Sequence, residues 1–245
     1  MKVFTRTDIG KTRNMNQDSF YISENDNGLN LCILADGMGG YKGGEIASKV
    51  AVTAVSKFIT EKFDSISKDK DSILDLLEDA ILFANSAIYE ESEADEELQD
   101  MGTTLEVMLI YKQKVYIGHV GDSRIYRIRK NNMKKITTDH SYVEKLIQDG
   151  EITREESYNH PKKNLLIKAL GTDEEVEPDL IYTVLNKNDM LIICSDGLTN
   201  MISEKEILDI VLNNSSENVA DVLVDEANDA GGLDNITVIF VDNRW

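Results

Sequence analysis

Apolar residues recur along this chain with two different periods, and each period predicts its own kind of element. Between Gly43 and Lys62, Ile46, Ala47, Val50, Ala51, Ala54, Val55, Phe58 and Ile59 fall three and four positions apart, which lays one broad stripe along a helix. Asp71 to Tyr89 repeats that spacing with Ile73, Leu74, Leu77, Ile81, Ala84 and Ile88. Shorter helices are predicted over Ser141 to Gln148, closed by Gly150, and over Ser203 to Leu212, where Ser203 and Glu206 have capping-box spacing. Another is predicted over Glu217 to Asp229, ended by Gly231 and Gly232. Elsewhere β-branched and aromatic residues dominate short runs that predict strands: Asn30 to Ala35, Leu105 to Tyr111, Val115 to Val120, Arg124 to Ile128, Leu191 to Ser195 and Ile236 to Asp242. Short polar turns such as Lys112 to Lys114 and Lys130 to Asn132 join neighbours, which argues for antiparallel sheets over βαβ winding. The predicted class is layered α+β.

Composition narrows what such a fold would bind. The 245 residues carry 26 Lys and Arg against 45 Asp and Glu, a formal charge of −19, so partners recognised through a phosphate backbone or an anionic lipid surface are excluded. A 41% hydrophobic content and two prolines suit a folded globular protein, and no Pro- or Ser-rich linker divides it, so residues 1–245 are expected to form one domain. Cys32 and Cys194 each sit inside an apolar run, as buried thiols in a reducing cytoplasm do. No run approaches the roughly 20 apolar residues needed to span a bilayer, and the N-terminal stretch has no signal-peptide core, so a soluble cytoplasmic protein is expected. Glu90 to Asp100, a block of like charge, is expected to be a solvated helix end or a mobile loop.

The informative pattern is an apolar strand that meets an aspartate at its end. LCILADG ends with Asp36-Gly37, LIICSDG with Asp196-Gly197 and YIGHVGDSR with Gly121-Asp122, while GGLDNITVIF opens a strand at Asp234-Asn235. A carboxylate at the mouth of a core strand costs several kcal/mol unless it is paired or holds a metal. Arg13 and Arg124 are the nearest cations in sequence, too few for four acids, so a metal is the better explanation. All-oxygen ligands select a hard ion, Mg2+ or Mn2+, with Ca2+ also compatible. Zinc is disfavoured, because His119, His140 and His160 lack metal-ligand spacing. Glycine after a ligand aspartate lets the backbone approach and offer its carbonyl oxygen. Near the N-terminus, Arg13 precedes Asp18 by five residues; that pair reads either as a surface ion pair or as a bidentate anion site built on the guanidinium.

These residues resemble a known family, the bacterial metal-dependent serine/threonine protein phosphatases of the PPM or protein phosphatase 2C type. The likeness runs in order through GKTRNMNQD at 10 to 18, ADGMGG with GEIAS at 35 to 48, MGTT at 101 to 104 and GHVGDSRIY at 118 to 126. It continues through DHS at 139 to 141, HPKKNLLIKALG at 160 to 171, CSDGL at 194 to 198 and GGLDNITVI at 231 to 239. The resemblance implies a four-layer αββα sandwich, two antiparallel β-sheets each flanked by a pair of antiparallel helices, with a flap at about 139–165 near the active site. It implies hydrolysis of phosphoserine and phosphothreonine in proteins by a metal-activated water at a binuclear Mn2+ or Mg2+ centre. Carried over by position, Asp36 bridges both ions, Asp196 and Asp234 complete one ion's protein ligands, and the Gly37 carbonyl serves the other. Asp18 acts through a water, Asp122 with Asp196 matches a third-metal site of bacterial relatives, and Arg13 holds the substrate phosphate. The implied partners are phosphorylated proteins and an opposing serine/threonine kinase, and the implied state is a monomer.

Two positions depart from the family pattern. Tyr41, a poor acid at neutral pH, stands where relatives usually carry His and leaves the general acid unassigned, and Gln17 stands where they often carry Glu. The competing readings are weaker. A catalytically silent phosphoprotein-binding scaffold has no need of several mutually repelling carboxylates, a phosphatase devoted to an anti-sigma-factor-type antagonist typically lacks the Arg13 motif, and no EF-hand loop supports a calcium protein.

Overall fold

The computed structural model describes residues 1–23, 29–39 and 43–244. In chain order the strands are β1 (Lys2–Asp8), β2 (Asp18–Ile22), β3 (Asn30–Met38), β4 (Gly102–Thr103), β5 (Leu105–Tyr111) and β6 (Lys114–Val120). β7 (Arg124–Arg129), β8 (Asn132–Lys135), β9 (Asp179–Val184), β10 (Met190–Cys194) and β11 (Ile236–Asp242) follow. The helices are α1 (Gly43–Lys62), α2 (Lys70–Ala94), α3 (Tyr142–Gln148), α4 (Arg154–Ser157), α5 (Asp196–Thr199), α6 (Glu204–Asn213) and α7 (Ser216–Asp229).

Among the described residues the strands form two antiparallel sheets, ordered β1-β11-β10-β7-β8 and β2-β3-β5-β6-β9, with β4 attached to β3. Their apolar faces build three layers of core. Cys32, Leu34, Met108 and Ile117 of one sheet meet Ile125, Leu191, Ile193 and Ile239 of the other in the middle layer. On the outside of the first of these sets, Ile33, Val107 and Leu109 pack under Ala47, Val55, Leu77 and Ile81 from α1 and α2. On the far side, Tyr126, Ile192 and Phe240 pack under Ile207, Val211, Val219 and Leu223 from α6 and α7. Because helices cover both outer faces, the inner strands are apolar on both sides and read as continuous runs such as Leu31 to Ala35. The result is the four-layer αββα arrangement.

The helix starts follow their caps. Ser203 and Glu206 exchange backbone hydrogen bonds at the start of α6, and Thr153 and Glu156 do the same at α4. α2 runs five residues past Tyr89 to Ala94, and a 3-10 turn, Glu96–Leu98, buries Leu98, so the acidic block at 90–100 is a helix end tied back to the core. The segment carrying α3 and α4 leaves the body at Ser141 and returns at Leu166, which pair as an antiparallel bridge. Among the described residues no helix is long and apolar enough to cross a membrane.

Candidate metal centre

Two sheets deliver their acids to one end of the sandwich. Asp18 opens β2 directly opposite Asp36 on β3, so these carboxylates are cross-strand neighbours. On the other sheet β10 and β11 lie side by side. Asp196 starts α5 just after β10 ends, and Asp234 sits two residues before β11 begins. Asp122 occupies the turn between β6 and β7, where the chain crosses from one sheet to the other.

The protonation of these acids reports how closely they crowd. Burial, reinforced by Asp18, Asp196, Asp122 and Asp234, pushes the Asp36 carboxyl well above the usual carboxylate range. Asp18 is pushed up to about 7 by burial, with Asp196 and Asp234 adding to the effect against hydrogen bonds from Thr237 and Ser195. Asp122 rises to about 8, from burial and then Asp196 and Asp139, and Asp196 to about 6, from burial and then Asp234. Four of the five thus keep their protons to higher pH than the same groups do in water.

Polar side chains inside the apolar strands hold these acids in place, and the apolar periodicity gave no sign of them. Asp18 Oδ2 accepts from Ser195 Oγ at 2.9 Å and from Thr237 Oγ1 at 2.6 Å, which ties one sheet to the other. Thr104 Oγ1 accepts from the Asp36 N–H at 3.0 Å and meets Ser123 Oγ at 2.9 Å, linking Asp36 to the residue after Asp122. Asn235 Oδ1 accepts from the Gln17 N–H, and its Nδ2 donates to the carbonyls of Ile9 and Met15, stapling the N-terminal loop to the mouth of β11. The one signal available in the sequence was position: Ser195 and Thr237 are fully buried polar residues at the ends of strands whose neighbours are apolar.

Arg13 joins the cluster through a different acid from the one its spacing suggested. Its Nη2 donates to Asp234 Oδ2 at 2.7 Å, and its side chain stays 52% exposed. The guanidinium faces Asp234, Asp196 and Asp36, all of which stabilise its charge. Gly37, next to Asp36, has no room for a side chain, since a Cβ there would overlap the Gly44 carbonyl. Gln17 contributes backbone: its carbonyl accepts from the Gly37 N–H at 3.2 Å and from Ser48 Oγ at 2.6 Å. Tyr41 lies outside the described residues. Both cysteines are buried with thiols pushed up to about 12 by that burial, which makes them inert packing groups.

The donor set fits a hard divalent cation. Every candidate ligand is an oxygen, and Asp18 Oδ1 is buried with no hydrogen-bond partner, an uncompensated acceptor aimed at nothing in the protein. The acids share one field without closing on one point: no three carboxylate, imidazole or thiol groups among the described residues stand as a ready metal-holding group. The fit therefore rests on the orphaned oxygen and on the mutual repulsion that a cation would relieve. Beside the acids opens a cleft of about 730 Å³, bounded by Asp122, Asp196 and Arg124 on one side and by Tyr158, Lys163 and Lys205 further out. It runs between the α3–α4 segment and the start of α6.

Known proteins share both the sequence and this shape. The family profile described as protein phosphatase 2C matches residues 10–229. The chain is 40% identical over 240 residues to the serine/threonine phosphatase stp of Listeria welshimeri, covering 98% of this chain and 94% of that one. Among solved structures, the serine/threonine phosphatase of S. agalactiae superposes with a TM-score of 0.90 at 38% identity, covering 98% of each chain. The catalytic domain of the serine/threonine protein phosphatase PstP in complex with two manganese ions superposes with a TM-score of 0.86 at 34% identity, covering 98% of this chain and 97% of that one.

Proposed function

Since this chain belongs to the protein phosphatase 2C family and is a serine/threonine protein phosphatase, we propose that it uses a binuclear Mn2+ or Mg2+ centre to hydrolyse phosphoproteins made by an opposing kinase. The observation that carries the metal reading is the convergence of Asp18 and Asp36 from one sheet, Asp196 and Asp234 from the other and Asp122 from the turn between them, with Asp18 Oδ1 buried and unpartnered. Residues 1–245 act as one catalytic domain, and the segment at about 139–165 shapes substrate entry beside the cleft.

Asp36 would bridge two ions, Asp196 and Asp234 would complete the protein ligands of one, and the Gly37 carbonyl would serve the other. Asp18 would act through a water, and Asp122 with Asp196 would hold a third ion. When bound, the cations supply the positive charge that acidifies a water and screens the phosphoryl oxygens. The chain's own contribution is placement. Ser195 and Thr237 fix the Asp18 carboxylate, Thr104 fixes the backbone of Asp36, and Asn200 Nδ2 donates to Asp196 Oδ2 at 2.9 Å. Arg13 engages Asp234 with one nitrogen, and the remaining donors of its fork are turned toward solvent, where they can take equatorial phosphate oxygens and orient the group for in-line attack. The role is electrostatic and steric, since guanidinium does not transfer a proton near neutral pH.

Hydrolysis of para-nitrophenyl phosphate and of a phosphothreonine peptide, measured with Mn2+, with Mg2+ and with EDTA, tests the reading. Turnover is expected with either cation and none with EDTA. Absence of metal-dependent turnover in every condition would refute it and favour a phosphoprotein-binding scaffold.

A further inference from the structure

The turn that carries Asp122 is gripped by a histidine that neither the metal reading nor the phosphate reading uses. Gly121 sits at φ +112°, a left-handed backbone, and a Cβ there would lie 2.6 Å from the Thr104 side chain, so Gly121 itself has no side chain to anchor it. Beside the Ser123–Thr104 hydrogen bond on one flank, two hydrogen bonds to its backbone hold it. The His140 N–H donates to the Gly121 carbonyl at 2.7 Å, and the Gly121 N–H donates to His140 Nδ1 at 3.1 Å. The His140 carbonyl in turn accepts from the Ile167 N–H at 2.9 Å, so both ends of the α3–α4 segment meet at this residue.

The donor at Nδ1 decides the state of the ring. Because Gly121 supplies the proton, Nδ1 must present its lone pair, and the remaining proton resides on Nε2, which faces Asp179 Oδ2 at 3.3 Å. The ring is held from below by His119, 4.5 Å away between centroids, which is fixed by Glu106 Oε1 at 2.5 Å and by the Thr138 carbonyl at 2.8 Å. Burial, then the neighbouring His119, hold His140 down at about 4, in keeping with a neutral ring. Geometry, packing and tautomer agree.

We propose that His140 is a positioning residue: through its Nδ1 it locks the Gly121–Asp122 turn to the neck of the α3–α4 segment, so that the segment and the Asp122 carboxylate move as one unit. The inference rests on the proposed role of Asp122 as a metal ligand. Its consequence is that displacement of the segment by a substrate or partner changes metal affinity at Asp122, and metal at Asp122 orders the segment in return.

Two conservative replacements separate this from mere packing. His140→Asn puts Oδ1 close to where Nδ1 lies, whereas His140→Gln moves its polar atoms toward the Nε2 position. In a calorimetric Mn2+ titration, His140→Gln should weaken by about 10-fold the binding step that Asp122→Ala removes, while His140→Asn stays within about 3-fold of the parent. Equal losses in the two variants, or a lowered melting temperature with Mn2+ binding intact, would overturn the proposal. Ring 15N shifts of His140 in the parent protein provide a readout that needs no variant to fold: an acceptor-type Nδ1 and a protonated Nε2 are expected, and the opposite tautomer would overturn it. Should Asp122→Ala leave every Mn2+ step unchanged, it is the reading of Asp122 that fails. Amide exchange at Gly121 then still decides the joint, with slow exchange in the parent and the Asn variant and fast exchange in the Gln variant expected, and uniform exchange in all three against it.

Discussion

Asp139 is buried and Asp18 is a half-buried residue whose carboxyl lies inside the protein at the same end of the molecule, and the two carboxyls are driven in opposite directions. Burial pushes each of them up. At Asp139 the push is overcome: Arg124 donates through Nε and Nη2, the latter at 2.7 Å, Lys135 Nζ lies at 2.9 Å, and the group ends below the ordinary carboxylate range. At Asp18 it prevails, and further acids add to it. Burial alone therefore does not mark a functional carboxylate; burial without a cation does. The fold has arginine and lysine to spare for a structural acid. It gives the five acids of the proposed metal centre only Arg13, half exposed and bonded to Asp234, and the more distant field of Arg124, which eases Asp122 and Asp196 without cancelling their rise.

Replacing one acid on each side of this contrast gives the largest effects, with opposite signs in stability. Asp36→Asn should lower phosphatase turnover by about 10^3-fold. The same change should raise the metal-free melting temperature by about 3 °C, because the amide donates to Asp196 at every pH without the cost of keeping a carboxyl protonated above its ordinary range. Wild-type turnover in this variant would take Asp36 out of the centre. Asp139→Asn should lower unfolding stability by about 3 kcal/mol, since Arg124 is left buried and uncompensated. A loss too small to detect in urea titrations would show that the ion pairs contribute nothing.

The contrast also sets a pH dependence. Asp18 and Asp122 bind protons in the folded protein up to about 7 and 8, while the unfolded chain releases them near 4, so metal-free stability should fall as pH rises from about 4 to 8. Asp139 works the other way, and its contribution is lost only as pH drops below about 4. The buried pair of Glu106, pushed up to about 7 by burial, and His119, raised to about 9 by Glu106 against its burial, adds a further decline between about 4.5 and 9. Saturating Mn2+ should cancel the part due to the five acids and leave the part due to the Glu106–His119 pair. Urea unfolding at pH 5 and pH 8, with Mn2+ and with EDTA, separates them, and identical slopes in both would contradict the crowding of the acids. The smallest effect is expected at Arg13, which is held by one bond at the rim: Arg13→Ala should raise KM for a phosphopeptide by about 10-fold with kcat within about 3-fold. A kcat loss larger than the KM change would move Arg13 from ground-state binding into the transition state.

What could be read from the chain before its structure follows the same division between paired and unpaired. The six strands predicted from apolar runs are the interior strands of the two sheets, β3, β5 and β6 in one and β7, β10 and β11 in the other. Of the five strands that the pattern passes over, β4 is a two-residue piece beside β3, and β1, β2, β8 and β9 are the sheet edges, whose residues are largely half-buried and mixed in polarity, as in KVFTRTD of β1. Asp36, Asp196 and Asp234 stood out because an acid ending an apolar run is anomalous without any knowledge of its neighbours. Ser195, Thr237, Thr104 and Asn235 did not, because a buried hydroxyl or amide is recognisable only once its partner is known, and the partner of Thr237 lies 219 positions away. Arg13 was legible as an anion-seeking group, but its partner Asp234 was not, for the same reason.

The pairing of β1 with β11 runs from Lys2 opposite Asp242 to Asp8 opposite Ile236, and the loop that follows β1 is stapled by Asn235. On the ribosome this means that β1 waits for β11. Arg13 and Asp18 are translated 221 and 219 residues before the groups that fix them, Asp234 and Thr237. Long-range closure of this kind makes folding slow. A nascent chain that has not reached β11 has the outer helices and most of the inner strands but lacks the groups that hold Arg13 and Asp18, so dephosphorylation starts only once β11 has been made.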